Sequence, residues 1–242
     1  MAQTKNLKQR IADGETLVAL RGFITTSKEE LADIWSTGHY DYIWIDSQHT
    51  AFDEQKFVDY CKAAEELGAY VQLRIPHTWQ SYLVGRYYDL GATSILVPEV
   101  MEEKTVDDAL AFAYYGPIGR RSWGGTERRG FKAGMDRHEY AKWWNEYVVL
   151  GIQCESVEMV TNVKKLAKPG VSLVTFGPND LLFNIEDHPS YPLQTVEECM
   201  RNVVEQLKGT NIRVAMGTPT KPEERQPYLD MGVTLFQENA PE

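Results

Sequence analysis

Two acidic side chains stand at the ends of short apolar runs. Glu155 closes Val148–Glu155 (VVLGIQCE), and Asp180 follows Ser172–Pro178 (SLVTFGP) after Asn179. If these runs are neighbouring strands, the two carboxylates lie side by side. Unpaired, they would repel and one would keep its proton. A divalent cation removes that conflict. Oxygen donors with few protein ligands suit Mg²⁺ or Mn²⁺, with water and substrate oxygens in the remaining positions. Pairing of both acids with nearby Arg or Lys is the plainer alternative.

Other runs end in the same way. Tyr40–Asp46 is followed by Gln48 and His49, Tyr70–Pro76 carries Arg74, Ser94–Val100 carries Glu99, and Gln153 precedes Glu155 by two. A neutral imidazole beside a carboxylate is a common general base near pH 7, and a structural histidine has the same signature. A guanidinium suits a carboxylate or a developing enolate, or serves as one half of a salt bridge. His39, His77, His138 and His188 have no metal-type spacing and read as structural or exposed. No GxSxG elbow, Walker loop or Cys–His signature occurs, and no strand run holds a Lys for Schiff-base chemistry.

The elements that must position these residues alternate along the chain. Eight apolar runs recur: the five above, plus Leu17–Phe23, Arg213–Gly217 and Val233–Asn239. Nearly continuous apolar character predicts strands covered on both faces. Between them, Ser27–Ser36, Asp53–Leu67, Tyr82–Leu90, Val106–Ala113, Val157–Ala167 and Val196–Leu207 read as helices, with Gly91 and Gly232 ending helices before strands. Eight such alternations predict an α/β fold, a (β/α)8 TIM barrel formed by residues 1–242 as one domain. Polar strand ends would then converge on one bowl. No GxGxxG turn follows the first run, against a dinucleotide fold.

The chain has 242 residues, 25 Lys and Arg against 35 Asp and Glu, and a net charge of −10. That surface repels nucleic acid and anionic lipid. Cys61, Cys154 and Cys199 are odd in number and read as reduced thiols of a cytoplasmic protein, and the polar Met1–Arg10 stretch has no apolar signal region. Gly116–Lys132 is rich in Gly and cations (Arg120, Arg121, Arg128, Arg129, Lys132, against Glu127). It reads either as a surface or subunit-contact loop or as a segment bordering the site that draws an anionic substrate.

Six stretches, Tyr40–Thr50, Leu73–Pro76, Asp89–Val100, Tyr115–Arg121, Gln153–Glu155 and Phe176–Leu181, together resemble the HpcH/HpaI aldolases. These are metal-dependent class II pyruvate aldolases related to citrate lyase β subunits. The resemblance covers about residues 17–240 and implies a pyruvate-binding barrel with Mg²⁺, Mn²⁺ or Co²⁺ at Glu155 and Asp180. It further implies a lyase in which His49, in a dyad with Asp89, acts as base and Arg74 holds the enolate oxygen. Gln153 would position substrate or a metal-bound water, and the Gly177–Asp180 turn, with Gly177, Pro178 and Asn179 bordering the substrate, would take its carboxylate on backbone N–H groups. The partners implied are a 2-oxo acid, an aldehyde and further copies of the chain. An oxaloacetate decarboxylase-like lyase, or a barrel that binds oxo acids without turnover, would keep the same pocket. Several features depart from the family pattern: Gln48 stands where Glu usually precedes the histidine, Gly116 and Ser122 stand where Pro and Gly are usual, the first-strand residues that border the substrate in relatives do not align, and the final helix of relatives is missing or shortened.

Overall fold

The computed structural model describes residues 5–124 and 129–241. Eight parallel strands close into a barrel in chain order: β1 (Leu17–Arg21), β2 (Tyr42–Asp46), β3 (Val71–Arg74), β4 (Ser94–Val97), β5 (Val149–Cys154), β6 (Leu173–Phe176), β7 (Arg213–Pro219) and β8 (Val233–Asn239). All eight predicted runs are strands. Their side chains alternate between two cores, which is why the runs are apolar throughout. Leu17, Ala19, Tyr42, Trp44, Leu96, Val149, Leu173, Ala215 and Leu235 fill the barrel interior, while Val18, Leu20, Ile43, Ile45 and their counterparts pack under the helices.

Ten α-helices surround the barrel. They are α1 (Leu7–Ala12), α2 (Lys28–Ser36), α3 (Glu54–Glu66), α4 (Val84–Asp89), α5 (Glu103–Ala113), α6 (Arg137–Tyr147), α7 (Val157–Leu166), α8 (Pro178–Glu186), α9 (Val196–Gln206) and α10 (Gln226–Met231), counted among the described residues. Ser27 caps α2 by accepting the Glu30 N–H at 3.1 Å, as its spacing predicts. The predicted Tyr82–Leu90 helix is α4, Val84–Asp89, entered through a 3-10 turn, Thr78–Leu83. Helices α1, α6 and α8 were not anticipated, and of α10 only the end at Gly232 was. The first of them plugs the barrel floor: Leu7 and Ile11 join the interior core. Burial of each such side chain contributes roughly 1.5–3 kcal/mol. Gly91 and Gly232 follow α4 and α10 in positive φ, 117° and 101°. Among the described residues no helix follows β8, and none is long and apolar enough to cross a membrane. The three cysteines are buried and free.

The described part of the basic loop, 116–124 and 129–132, is not at the bowl. It joins the end of α5 to α6, on the face where helices return to strands. Arg121 donates to Asp89 at 2.5 Å and to the Gly85 carbonyl at 2.9 Å, and its guanidinium lies 4.3 Å from the Trp144 ring. Arg129 pairs with Glu65 at 3.1 Å, at the tail of α3. These cations are engaged by the scaffold at the far end of the barrel, so they do not form a substrate funnel. Glu127 and Arg128 lie outside the described residues.

Candidate active site

The C-terminal ends of β2 to β6 and the loops beyond them surround a cavity of about 480 Å³, lined among others by Gln48, His49, Glu99, Glu155 and Asp180. Glu155, just past β5, is 9% exposed. Gln153 Nε2 donates to its Oε1 at 2.5 Å, and the Glu99 N–H donates to its Oε2 at 3.0 Å. Gly177 follows β6 and faces this carboxylate. A Cβ there would collide with Glu155 Oε1 and come within 2.9 Å of Gln153 Nε2, so only glycine leaves room for the pair. Burial pushes the Glu155 carboxyl up to about 7 against the pull of the Glu99 N–H; the charge of Asp180 adds to the rise and that of Arg74 opposes it.

Asp180 reaches the cavity from the first turn of α8, where Pro178 is the first helical residue. An acid there is favoured by the helix N-terminus. Two carboxylates from adjacent strand ends thus face one cavity, and one of them is uncomfortable as an anion. The adjoining Gln153 Oε1 is buried without a partner. This donor set fits a divalent cation. Among the described residues no cluster of three or more His, Cys, Asp or Glu forms, so an ion would take two protein carboxylates and complete its shell with water and substrate oxygens.

Arg74 ends β3 beside Asp46, its register partner at the end of β2. Two parallel bonds join them, Nε to Oδ1 at 2.9 Å and Nη2 to Oδ2 at 2.6 Å. Burial acts to raise the Asp46 carboxyl, and the Arg74 hydrogen bonds and charge more than offset it, leaving it below its ordinary value. Arg74 Nη1 makes no hydrogen bond with a described residue. Asp46 also accepts the Gln48 N–H at 2.9 Å, fixing the turn that carries His49 to the cavity.

Two expectations need correction. Asp89 does not form a dyad with His49 within the chain: it ends α4, on the opposite face of the barrel, and pairs with Arg121. The backbone cradle is also smaller than expected. Gly177 N–H is taken by the Cys154 carbonyl at 3.0 Å, and Pro178 has no N–H, so Asn179 and Asp180 supply the open amides. Gly177 and Pro178 serve instead by making room and starting the helix.

Two residues were undervalued. Glu99, noted only as a strand-end acid, has φ of 51°, a conformation that strains any non-glycine residue. There its N–H holds Glu155 and its Oε1 accepts Gln48 Nε2 at 3.2 Å. His77, read as structural or exposed, lines the cavity; its Nδ1 accepts the Trp79 N–H at 3.1 Å and its Nε2 lies 3.9 Å from Glu99 Oε2. The available signal was its place three residues after Arg74, in the loop leaving the same strand.

Residues 21–237 match the family model described as HpcH/HpaI aldolase/citrate lyase. The chain is 26% identical over 181 residues to a hydroxypyruvate/pyruvate aldolase of Roseobacter denitrificans, covering 74% of this chain and 69% of that one. It is 26% identical over 200 residues to a 2-keto-3-deoxy-L-rhamnonate aldolase of Klebsiella pneumoniae, covering 82% and 72%. The crystal structure of an HpcH/HpaI aldolase from Desulfitobacterium hafniense DCB-2 superposes with a TM-score of 0.83 at 23% identity, covering 98% of this chain and 91% of that one, which is a likeness of fold.

Proposed function

The chain belongs to the HpcH/HpaI aldolase/citrate lyase family and is a lyase, and from that premise we propose that it is a divalent-metal-dependent aldolase. It reversibly cleaves 4-hydroxy-2-oxo acids to pyruvate, or a similar 2-oxo acid, and an aldehyde. The observation that carries this reading is the placement of Glu155 and Asp180 on one cavity, with Glu155 held by Gln153 and by the Glu99 N–H.

Glu155 and Asp180 would hold Mg²⁺, Mn²⁺ or Co²⁺, and the ion when bound supplies Lewis-acid withdrawal that makes the methyl group of the oxo acid more acidic. The protein's own groups do the rest. The amides of Asn179 and Asp180, at a helix N-terminus, take the substrate carboxylate. Arg74 presents Nη1 to the oxygen on which enolate charge develops, and Asp46 keeps the guanidinium from swinging away. His49 removes a methyl proton, directly or through water. Gln153 keeps Glu155 in place and offers Oε1 to a water or substrate hydroxyl. Carbon–carbon bond formation then joins the methylene carbon to the aldehyde carbon, whose oxygen takes up a proton.

In this reading the partners are small oxo acids and aldehydes, and the protein is a cytoplasmic homo-oligomer. The test is solvent-deuterium exchange into the methyl group of pyruvate, with Mn²⁺ and with chelator. Metal-dependent exchange supports an enolising enzyme. Its absence at saturating Mn²⁺ and pyruvate contradicts the reading and leaves a binding barrel. Release of CO2 from oxaloacetate without cleavage of any 4-hydroxy-2-oxo acid would instead favour the decarboxylase-like lyase.

A further inference from the structure

Three large apolar side chains line the cavity of Glu155 and Asp180 and play no part in the account so far. They are Trp79, Met101 and Phe183, and they are 81%, 54% and 70% exposed. One exposed apolar side chain is ordinary, whereas several brought to one cavity by separate segments mark a place where a ligand is held. Each stands two or three residues beyond a polar residue of the same cavity: Trp79 after His77, Met101 after Glu99 and Phe183 after Asp180. Helix α8 shows how this arises. Asp180, Phe183, Asn184 and Asp187 recur at the spacing of one helical face, and all four line the cavity. Leu181 and Ile185 point elsewhere, into the core under the helices. Phe183 is therefore about 4.5 Å along the axis from Asp180. The Trp79 ring is set edge-on to His77, with centres 5.1 Å apart.

Charge decides what such a wall can hold. The described lining contains four acids, Glu99, Glu155, Asp180 and Asp187, and no Lys or Arg. Its histidines are His49 and His77, and His77 Nε2 already faces Glu99 Oε2 at 3.9 Å. Glu155 and Asp180 are assigned to the ion, which leaves Glu99 and Asp187 beside the apolar side chains. An anionic tail there would meet two carboxylates and no fixed cation. The cavity, about 480 Å³, lies within the roughly 300–1,000 Å³ of sites for ligands well above the size of pyruvate.

We propose that Trp79, Met101 and Phe183 form the acceptor wall of this cavity, and that the aldehyde used has an uncharged, apolar body. This rests on the reading of the chain as an aldolase of 2-oxo acids and names the acceptor class. Pyruvate gives up a methyl proton and its methylene carbon bonds to the aldehyde carbon. The aldehyde oxygen receives the electron pair of the broken carbon–oxygen π bond and a proton. The alkyl or aryl body is unchanged and stays on the wall. The product is a 4-hydroxy-2-oxo acid with one carboxylate and an apolar substituent at C4.

The test measures kcat/KM with pyruvate and Mn²⁺ for acetaldehyde, butanal, hexanal and succinic semialdehyde. For wild type, each added methylene should raise kcat/KM about 2- to 4-fold, as transfer of that group out of water predicts. Butanal should exceed the equally long, anionic succinic semialdehyde about 10-fold. Phe183→Ser and Trp79→Ser should each bring the hexanal-to-acetaldehyde ratio toward 1, and Phe183→Leu should keep part of it. Asp187→Asn should narrow the gap between butanal and succinic semialdehyde. Both aromatic residues are exposed, so neither replacement opens a hole in the core, and thermal unfolding verifies that each variant is folded. A wild-type series without a chain-length trend, preference for succinic semialdehyde, or a trend that survives both serine variants overturns the assignment. A change of sedimentation in the serine variants with the trend intact also overturns it, by giving the wall to a second copy of the chain. Methyl exchange by wild type is scored separately. If exchange occurs without a chain-length trend, the acceptor assignment alone fails; if exchange is absent, the aldolase reading fails with it.

Discussion

Gln48 Nε2 donates a 3.2 Å hydrogen bond to Glu99 Oε1, so the loop after β2 is tied to the loop after β4 directly above Glu155. Gln48, next to His49, is a neutral amide, and the Glu99 carboxylate reaches it from the loop after β4, so a negative charge lines the cavity there. Holding Glu99 in this role requires a left-handed backbone, at roughly 1–2 kcal/mol.

Replacement of that residue should separate stability from function. Glu99→Gly relieves the backbone strain and removes the carboxylate. Thermal unfolding should show a protein no less stable than wild type, gaining up to about 1 kcal/mol. Methyl exchange at subsaturating pyruvate should fall at least several-fold. A large loss of stability would show that the left-handed residue carries no strain.

Asp46→Asn should loosen Arg74, because it leaves a buried guanidinium beside a neutral amide. A loss of about 3 kcal/mol in denaturant unfolding is expected, with a fall in kcat for enolisation. The Asp46 carboxyl is held below its ordinary value in the folded state. Its stabilising contribution is therefore complete above the unfolded-state value, near 3.8, and is lost as pH falls through the lower folded-state value. Acid unfolding curves of wild type and Asp46→Asn should converge on that limb. Parallel curves down to the lowest pH would assign acid sensitivity to other groups.

His49 and Asp89 should behave as unrelated residues. His49→Ala should slow methyl exchange by roughly 10²–10⁴-fold while sparing Mn²⁺ affinity. Asp89→Asn should lower stability through Arg121 and leave exchange by the folded protein near wild type. Equal kinetic defects in the two variants would show that an Asp89 from another copy of the chain reaches His49.

The barrel was legible because parallel strands buried on both faces write themselves as continuous apolar runs. Polar residues at the ends of those runs, Asp46, Arg74, Gln153, Glu155 and Asp180, were legible for the same reason: in a closed barrel they all face one mouth. Helices α1, α6 and α8 were harder. The six-residue α1 is too short for periodicity, α6 is crowded with aromatic and charged residues, and α8 begins at a Pro within a strand-like run. Asp89 misled because a motif that continues into a strand says nothing about which end of the barrel its first residue occupies. The left-handed backbone at Glu99 is set by neighbours distant in sequence, and no local pattern encodes it.

Titration of the metal-free protein with Mn²⁺, followed by the loss of the free-ion paramagnetic resonance signal near neutral pH, most directly tests the grip of Glu155 and Asp180 on a cation. One site per chain is predicted for wild type, weakened at least 100-fold by Glu155→Gln and by Asp180→Asn alike. Wild-type affinity in either folded variant would contradict the two-carboxylate site.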